Sequence, residues 1–160
     1  MTKRRLFISF QHKDQMKGKG FNLLQYNKNV EVEFTSRHFL DPVKSKDKEY
    51  IKQKVREQIA GTSVTVVLIG KDTRNSKWIP WEIECSDKND NGILAIRLPG
   101  APPLPKTCAV QKALDAFGAE TIDWKPDQFA DAIERTARGA AKGPKIRVSQ
   151  VGGSRCARRP

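Results

Sequence analysis

Residues 62–86 have the sequence TSVTVVLIGKDTRNSKWIPWEIECS. Within them, the run VTVVLI at 64–69 is interrupted only by Thr65. A strand with one face in water alternates apolar and polar residues, whereas a strand covered by helices on both faces is almost continuously apolar. The run is β-branched and ends at Gly70, which favours a strand over a helix. The stretch therefore predicts a central strand that is buried on both faces.

A helix is predicted after the polar connection at 71–76. Ile79 and Ile83 are spaced i, i+4, so they share one helical face that can be buried. Pro80 is acceptable only in the first turn of a helix, where the backbone N–H groups lack intrahelical partners. The helix is therefore expected to begin close to residues 76–79, with Ser76 as its N-cap.

The rest of the chain alternates strand and helix patterns. Further strands are predicted at 6–10, 30–34, 93–96 and 121–124, and further helices at 16–26, after Asp47, and after Pro126. In the second of these helices Ile51, Val55 and Ile59 form a buried stripe, and in the third Phe129, Ile133 and Ala137 do. Five strands alternating with helices predict an α/β three-layer sandwich, in which an open, mostly parallel five-stranded sheet has helices on both faces.

In sheets of this kind ligands bind beyond the carboxyl ends of the strands. The polar candidates in those segments are Ser9, His12, Arg37, Ser76, Trp78 and Glu82. Trp78 and Glu82 lie side by side on one helix because they are spaced i, i+4. From spacing alone, each also has a structural explanation: Trp78 can cover the core, and Glu82 can complement the helix dipole. Residue patterns alone therefore predict an α/β domain with a candidate site, and they do not identify its function.

The net charge of +12 is concentrated at one end of the chain. From Arg138 onward there are seven cations and no acid. This segment is rich in Gly, Ala, Ser and Pro and has no apolar periodicity, so we expect residues 139–160 to form a disordered basic tail behind a domain at 1–138. Because no aromatic residues accompany the charges, a solvated tail is favoured over a nucleic-acid contact, which would be confined to this tail.

The cysteines are Cys85, Cys108 and Cys156. An odd number at wide spacing, with no secretion signal, predicts reduced thiols and a cytoplasmic location. Only His12 and His38 are available as further soft ligands, so no metal site is expected. No apolar run approaches the roughly 18 residues of a membrane span, so no membrane association is expected.

Three blocks of the sequence together resemble a TIR domain, within a correspondence that extends over about residues 4–137. They are LFISF at 6–10 followed by Lys13 and Asp14, SVTVVLI and SKWIPWEI at 63–69 and 76–83, and DWKPDQF at 123–129. The second block carries a Trp-x-x-x-Glu motif at Trp78 and Glu82. Residues 62–70 and 78–83 are most similar to the TIR-like proteins of the Thoeris anti-phage system. The resemblance implies that the predicted three-layer sandwich has the flavodoxin-like fold of TIR domains.

The resemblance also implies an activity. Catalytic TIR domains cleave NAD, as substrate rather than cofactor, between nicotinamide and ribose, and the Thoeris type forms a cyclic ADP-ribose signal. Glu82 occupies the position of the family's catalytic glutamate. Trp78 is then expected to form a wall of the ribose pocket, with Ser76 nearby. Ser9, Phe10 and His12 are expected to line the nucleotide side, and Arg37 to contact a phosphate.

Partners and alternatives follow from the same resemblance. The connection that starts at Thr35 and ends at Lys46 corresponds to the loop through which TIR domains gate their site and contact one another, so self-association is expected there, and a phage-derived trigger is possible. Many TIR domains are non-catalytic interaction modules, which is the alternative function. A phosphorylated receiver domain is disfavoured, because Gln11 and His12 stand where its acidic pair belongs.

Overall fold

The computed structural model describes residues 4–11, 30–34 and 47–141. Within them the chain forms one sheet of five parallel strands. The strands are β1 Arg4–Ser9, β2 Val30–Phe34, β3 Val64–Ile69, β4 Gly92–Arg97 and β5 Glu120–Asp123. Their spatial order is β2-β1-β3-β4-β5, which makes β3 the central strand. The direction of winding reverses between β1 and β3, and sheets of this type bind ligands at such a switch point.

Four helices accompany the sheet in the described residues: α1 Lys48–Ala60, α2 Trp78–Lys88, α3 Ala109–Ala116 and α4 Phe129–Ala141. α4 covers one face, where Phe129 and Ile133 pack with residues of β1, β3 and β4. α2 and α3 cover the opposite face through Ile79, Ile83 and Leu114. α1 packs beside α2 on that second face. The predicted α/β architecture with a parallel sheet between helices is confirmed.

β3 has the doubly covered position that its sequence predicts. All six of its residues are buried. Val66 and Leu68 pack on the α4 side, whereas Val67 and Ile69 pack against α2 and α3. The division follows from the alternation of side chains along a strand. A continuous apolar run was therefore a correct indicator of burial on both faces.

The start of α1 is fixed by the predicted cap. The Asp47 carboxylate accepts hydrogen bonds from the backbone N–H groups of Glu49 at 3.0 Å and Tyr50 at 3.3 Å. These are two of the donors that a helix start leaves without intrahelical partners. The buried residues of the helix are the predicted Ile51, Val55 and Ile59.

The sequence did not predict α3. Its only buried residues are Val110 and Leu114, and one i, i+4 pair in eight residues is too short a pattern to identify a helix. Its cap is also atypical, because Cys108 Sγ accepts the hydrogen bond from the Gln111 N–H at 3.4 Å. Pro126 begins a 3-10 turn at Pro126–Gln128 rather than α4 itself.

Several predictions fall outside the described residues. These are the helix at 16–26, the 35–46 connection and the basic tail from residue 142 onward. α4 continues to Ala141 and so passes the predicted domain boundary at residue 138. No helix in the described part of the chain is both long and apolar enough to cross a membrane.

The prediction of reduced thiols is correct for Cys108, which is free. Cys85 lies on α2 with 2% of its surface exposed.

A bidentate ion pair joins the first strand to the last helix. Arg4 Nε donates to Glu134 Oε1 at 3.0 Å, and Arg4 Nη2 donates to Oε2 at 3.3 Å. These hydrogen bonds from Arg4 hold the pKa of Glu134 below its ordinary value of 4.5. A carboxyl group whose pKa is lower in the folded state contributes stability above its unfolded pKa, and the contribution is lost as the pH falls through the folded pKa.

We therefore expect Glu134→Gln to lower the free energy of unfolding near pH 6 by less than about 1 kcal/mol, since the pair is partly exposed. The urea unfolding curves of wild type and variant should converge as the pH falls well below 4.5. If the difference in free energy of unfolding between the two proteins stays constant from pH 6 to well below 4.5, the ion pair does not contribute.

Candidate active site

The connection between β3 and α2 is fixed by one buried hydroxyl. Thr73 Oγ1 accepts a hydrogen bond from the Gly70 N–H at 2.8 Å and donates to the Leu68 carbonyl oxygen at 3.3 Å. Thr73 has no exposed surface. The chain leaving the carboxyl end of β3 is thus held in a tight turn that directs it into α2. Thr73 was not among the predicted residues, although a Thr three residues after a strand-ending Gly is a recognisable turn signal.

α2 begins at Trp78, within the interval that the sequence predicts. The N-cap position belongs to Lys77 rather than to the predicted Ser76. Ser76 still supplies a capping hydrogen bond from one residue earlier, because its Oγ accepts from the Ile79 N–H at 3.1 Å. Pro80 lies in the first turn, where its missing N–H removes no helical hydrogen bond. Glu82 follows one turn after Trp78, so the helix start determines the position of this carboxylate.

Glu82 meets the end of β1. Ser9 is the last residue of β1 and pairs with Val67 of β3. Its Oγ donates a hydrogen bond to Glu82 Oε1 at 2.7 Å, and neither residue has exposed surface. Two of the predicted site residues, 73 positions apart in the chain, are therefore in direct contact next to the switch point.

The main chain of α2 is anchored beside the same glutamate. Ser86 Oγ donates to the Glu82 carbonyl oxygen at 2.8 Å and accepts from Thr65 Oγ1 at 2.6 Å. Asn91 Nδ2 donates in turn to Thr65 Oγ1 at 3.2 Å. This buried network attaches α2 to β3 and explains the one polar residue in the apolar strand. The network was not predicted, although its signals are present in the sequence: a Ser at i+4 from Glu82 and a Thr within the strand.

Trp78 is half-buried and packs edge-to-face against Trp81, with ring centroids 5.8 Å apart. Both rings belong to the cluster that α1 and Phe7 form on this face of the sheet. Trp81 additionally has Lys52 Nζ and the guanidinium of Arg56 over its ring, each 5.7 Å from the centroid. Trp78 therefore covers the core, as one sequence interpretation held, and also stands one turn from Glu82.

Phe10, another predicted site residue, lies on the opposite face of the sheet from Glu82. Phe10 is buried in the core cluster on the α4 side, together with Leu98 and Phe129, whereas Phe7 packs on the α2 side. Since Ser9 and Phe10 are adjacent at the strand end, they point to opposite faces. His12 and Arg37 lie outside the described residues. Across the described ranges, His, Cys, Asp and Glu side chains nowhere form a group of three that could hold a metal ion.

Together, the strand order, the helix after β3 and the buried glutamate that follows a tryptophan by four residues define a TIR-like α/β domain. The family model of the Thoeris protein ThsB, TIR-like domain, matches residues 7–103. That range is more than half of the chain and includes the end of β1, all of β2 to β4, and Glu82, so the chain belongs to this family. The resemblance drawn from the sequence is confirmed, and the protein carries a TIR-type defence or signalling domain.

No curated protein is significantly similar to the chain in sequence. Among solved structures, the TIR domains of the activated Roq1 resistosome, which directly recognizes the pathogen effector XopQ, have a TM-score of 0.46 at 14% identity, covering 84% of each chain. A 3-dehydroquinate dehydratase-like protein from Bifidobacterium longum has a TM-score of 0.45 at 11% identity, covering 86% of this chain and 97% of the other. At TM-scores below 0.5, neither likeness carries an argument about function.

Proposed function

We propose that the protein is a TIR-like NAD-cleaving enzyme of an anti-phage defence system, which breaks the nicotinamide–ribose bond and forms a cyclic ADP-ribose-type signal. The observation that carries this proposal is the contact between Ser9 and Glu82. It puts a carboxylate on a helix start beside the switch point of the sheet, where ligands bind in doubly wound folds. Membership in the ThsB family supports the same assignment.

One carboxylate is enough for this chemistry. The bond between ribose C1′ and the pyridinium nitrogen breaks with both electrons going to nitrogen, so nicotinamide leaves as a neutral molecule and needs no proton. The ribose becomes an oxocarbenium-like cation, which the negative charge of Glu82 stabilises. Because Glu82 is buried, its charge acts in a low-dielectric environment where it is more effective than in water. Attack by a nucleophile of the same molecule closes the ring, whereas attack by water gives ADP-ribose.

The other proposed contacts use the neighbouring side chains. Trp78 would pack against the ribose from one turn before Glu82. Ser76 already accepts the capping hydrogen bond, and its hydroxyl can still donate to a substrate oxygen. His12 and Arg37 remain proposed contacts to the nucleotide and to a phosphate, on the evidence of the sequence alone.

The experiment that tests the proposal is product analysis of purified protein incubated with NAD at high protein concentration. Chromatography with mass spectrometry should show nicotinamide in an amount equal to the sum of cyclic and linear ADP-ribose. A parallel incubation with Glu82→Gln, purified in the same way, excludes a contaminating activity. Absence of nicotinamide above this control at every protein concentration would contradict the proposal.

The alternative function is a non-catalytic interaction module. The observation that favours it is that Glu82 has no accessible surface, as a purely structural carboxylate would. For catalysis, the residues that cover Glu82 must move before substrate can reach it. The NAD incubation separates the two functions, because an interaction module would release no nicotinamide at any concentration.

Self-association through the 35–46 connection is part of the proposal, and so are a phage-derived trigger and a cytoplasmic location. The connection has three apolar residues, Phe39, Leu40 and Val43. We expect Leu40→Asp to weaken self-association and NAD cleavage together, because a charge at an apolar contact between copies is costly to bury. Sedimentation velocity and turnover, each measured over a range of protein concentrations, check this prediction.

Ser45→Asp, which adds the same charge at a polar position of the connection, is the matched control and should change neither quantity. Circular dichroism of Leu40→Asp should remain that of the folded protein. If wild type sediments as a monomer at every concentration and its rate is strictly proportional to protein, the connection has no role in assembly.

A further inference from the structure

Ser9 and Glu82 form a hydrogen bond between two residues that have no exposed surface. Ser9 Oγ lies 2.7 Å from Glu82 Oε1, and both residues are 0% exposed. A bond at this distance to a charged acceptor belongs to the strong class of hydrogen bonds. Removing the donor would leave a buried carboxylate oxygen without that partner. Losing a hydrogen bond to a buried charged group lowers the free energy of unfolding.

The backbone of Ser9 is fixed by the sheet. β1 lies between β2 and β3, and Ser9 is in register with Val67 of the central strand. The preceding residue, Ile8, is paired on both sides, with Phe34 and Val66, so the backbone at Ser9 has little freedom. The hydroxyl therefore provides a rigid reference point to which the carboxylate on α2 is attached.

A serine hydroxyl has one proton to donate. In this structure the proton is directed to Glu82 Oε1, so Ser9 cannot donate to a substrate oxygen at the same time. This distinguishes its role from the one expected from the sequence, in which Ser9 lines the nucleotide.

We infer that Ser9 is a positioning residue, which holds the Glu82 carboxylate at the place where positive charge develops on the ribose. The inference rests on the proposed function and adds to it the group that orients the catalytic carboxylate. A displacement of about 1 Å of a stabilising group is enough to reduce a rate substantially. The role therefore predicts a loss in the rate of the chemical step and little change in substrate affinity.

The kinetic test compares three variants. Ser9→Ala should lower kcat for NAD cleavage at least about tenfold with KM within about twofold of wild type, and Ser9→Thr, which keeps the hydroxyl, should recover most of kcat. Ser63→Ala is the matched control. It removes a serine hydroxyl that donates to the Arg5 carbonyl oxygen at 3.4 Å, at the amino-terminal edge of the sheet, and it should leave kcat unchanged. A rise in KM with unchanged kcat in Ser9→Ala would show that Ser9 contacts the substrate instead.

A second test does not depend on activity. The unfolding equilibrium constant is measured for wild type, Ser9→Ala, Glu82→Met and the double variant. Ser9→Ala should raise this constant at least about tenfold in the wild-type background, and by less than about threefold in the Glu82→Met background, where no carboxylate needs a donor. An equal effect in both backgrounds would overturn the inference. If wild type releases no nicotinamide, the proposed function fails, while this cycle still decides whether Ser9 holds the carboxylate.

Discussion

Replacing Glu82 by Gln is expected to lower NAD cleavage at least about a hundredfold, the usual effect of removing one electrostatic stabiliser from an active site. The amide has nearly the shape of the carboxylate, and its oxygen can still accept the hydrogen bond from Ser9. It has no negative charge, so it cannot stabilise an oxocarbenium-like ribose. The loss should therefore appear in kcat, while the thermal midpoint of unfolding stays close to that of wild type.

Glu84→Gln is the matched control for this prediction. Glu84 is on the same helix, two residues away, and forms an ion pair with Lys88 at 3.3 Å. The same substitution there removes a charge from α2 without touching the Ser9 contact, so turnover should be retained. Turnover of Glu82→Gln equal to that of Glu84→Gln, with both proteins folded, would exclude Glu82 as the catalytic residue.

Replacing Gly92 by Ala is expected to lower the free energy of unfolding by about 3 kcal/mol, at the upper end of the usual cost of overpacking. Gly92 begins β4 beneath α4. A Cβ atom built there would lie 2.5 Å from the backbone oxygen of Thr136 and 2.6 Å from its Cγ2. Backbone atoms of a helix cannot yield as a flexible side chain does, so α4 must move away from the sheet.

Gly139→Ala is the matched control, because it is the same substitution with the opposite expectation. A Cβ at Gly139 would meet no atom within 4 Å. An alanine in α4 loses less conformational entropy on folding than glycine, which should stabilise the protein by about 0.5–1 kcal/mol. Urea unfolding at unchanged m-value measures both effects. A Gly92→Ala variant as stable as wild type would show that α4 does not approach β4 as closely as the structure has it.

Much of the fold was predictable because its signals are local. The apolar run at 64–69 predicted a strand buried on both faces, and Asp47 predicted the start of α1. Ser76 and Pro80 together located the first turn of α2. Each of these patterns acts over a few residues, through the periodicity of side chains or the unpaired N–H groups of a helix end.

The candidate site was only partly predictable. Spacing identified Glu82 and its relation to Trp78. The alternation of strands with helices predicted a parallel sheet, and the carboxyl end of its first strand places Ser9 at the same edge as Glu82. Which face of the sheet α2 would cover was not encoded locally. That choice put Ser9 against Glu82 and buried Phe10 in the core on the other side.

The sequence by itself thus determined the five strands, the helices α1, α2 and α4, and the glutamate near the start of α2. The tertiary structure decided which side chains meet across 73 positions of chain and why position 92 must be glycine. The physical reason is the same in each case: these features depend on distances between segments that packing alone brings together, and no periodicity along the chain records them.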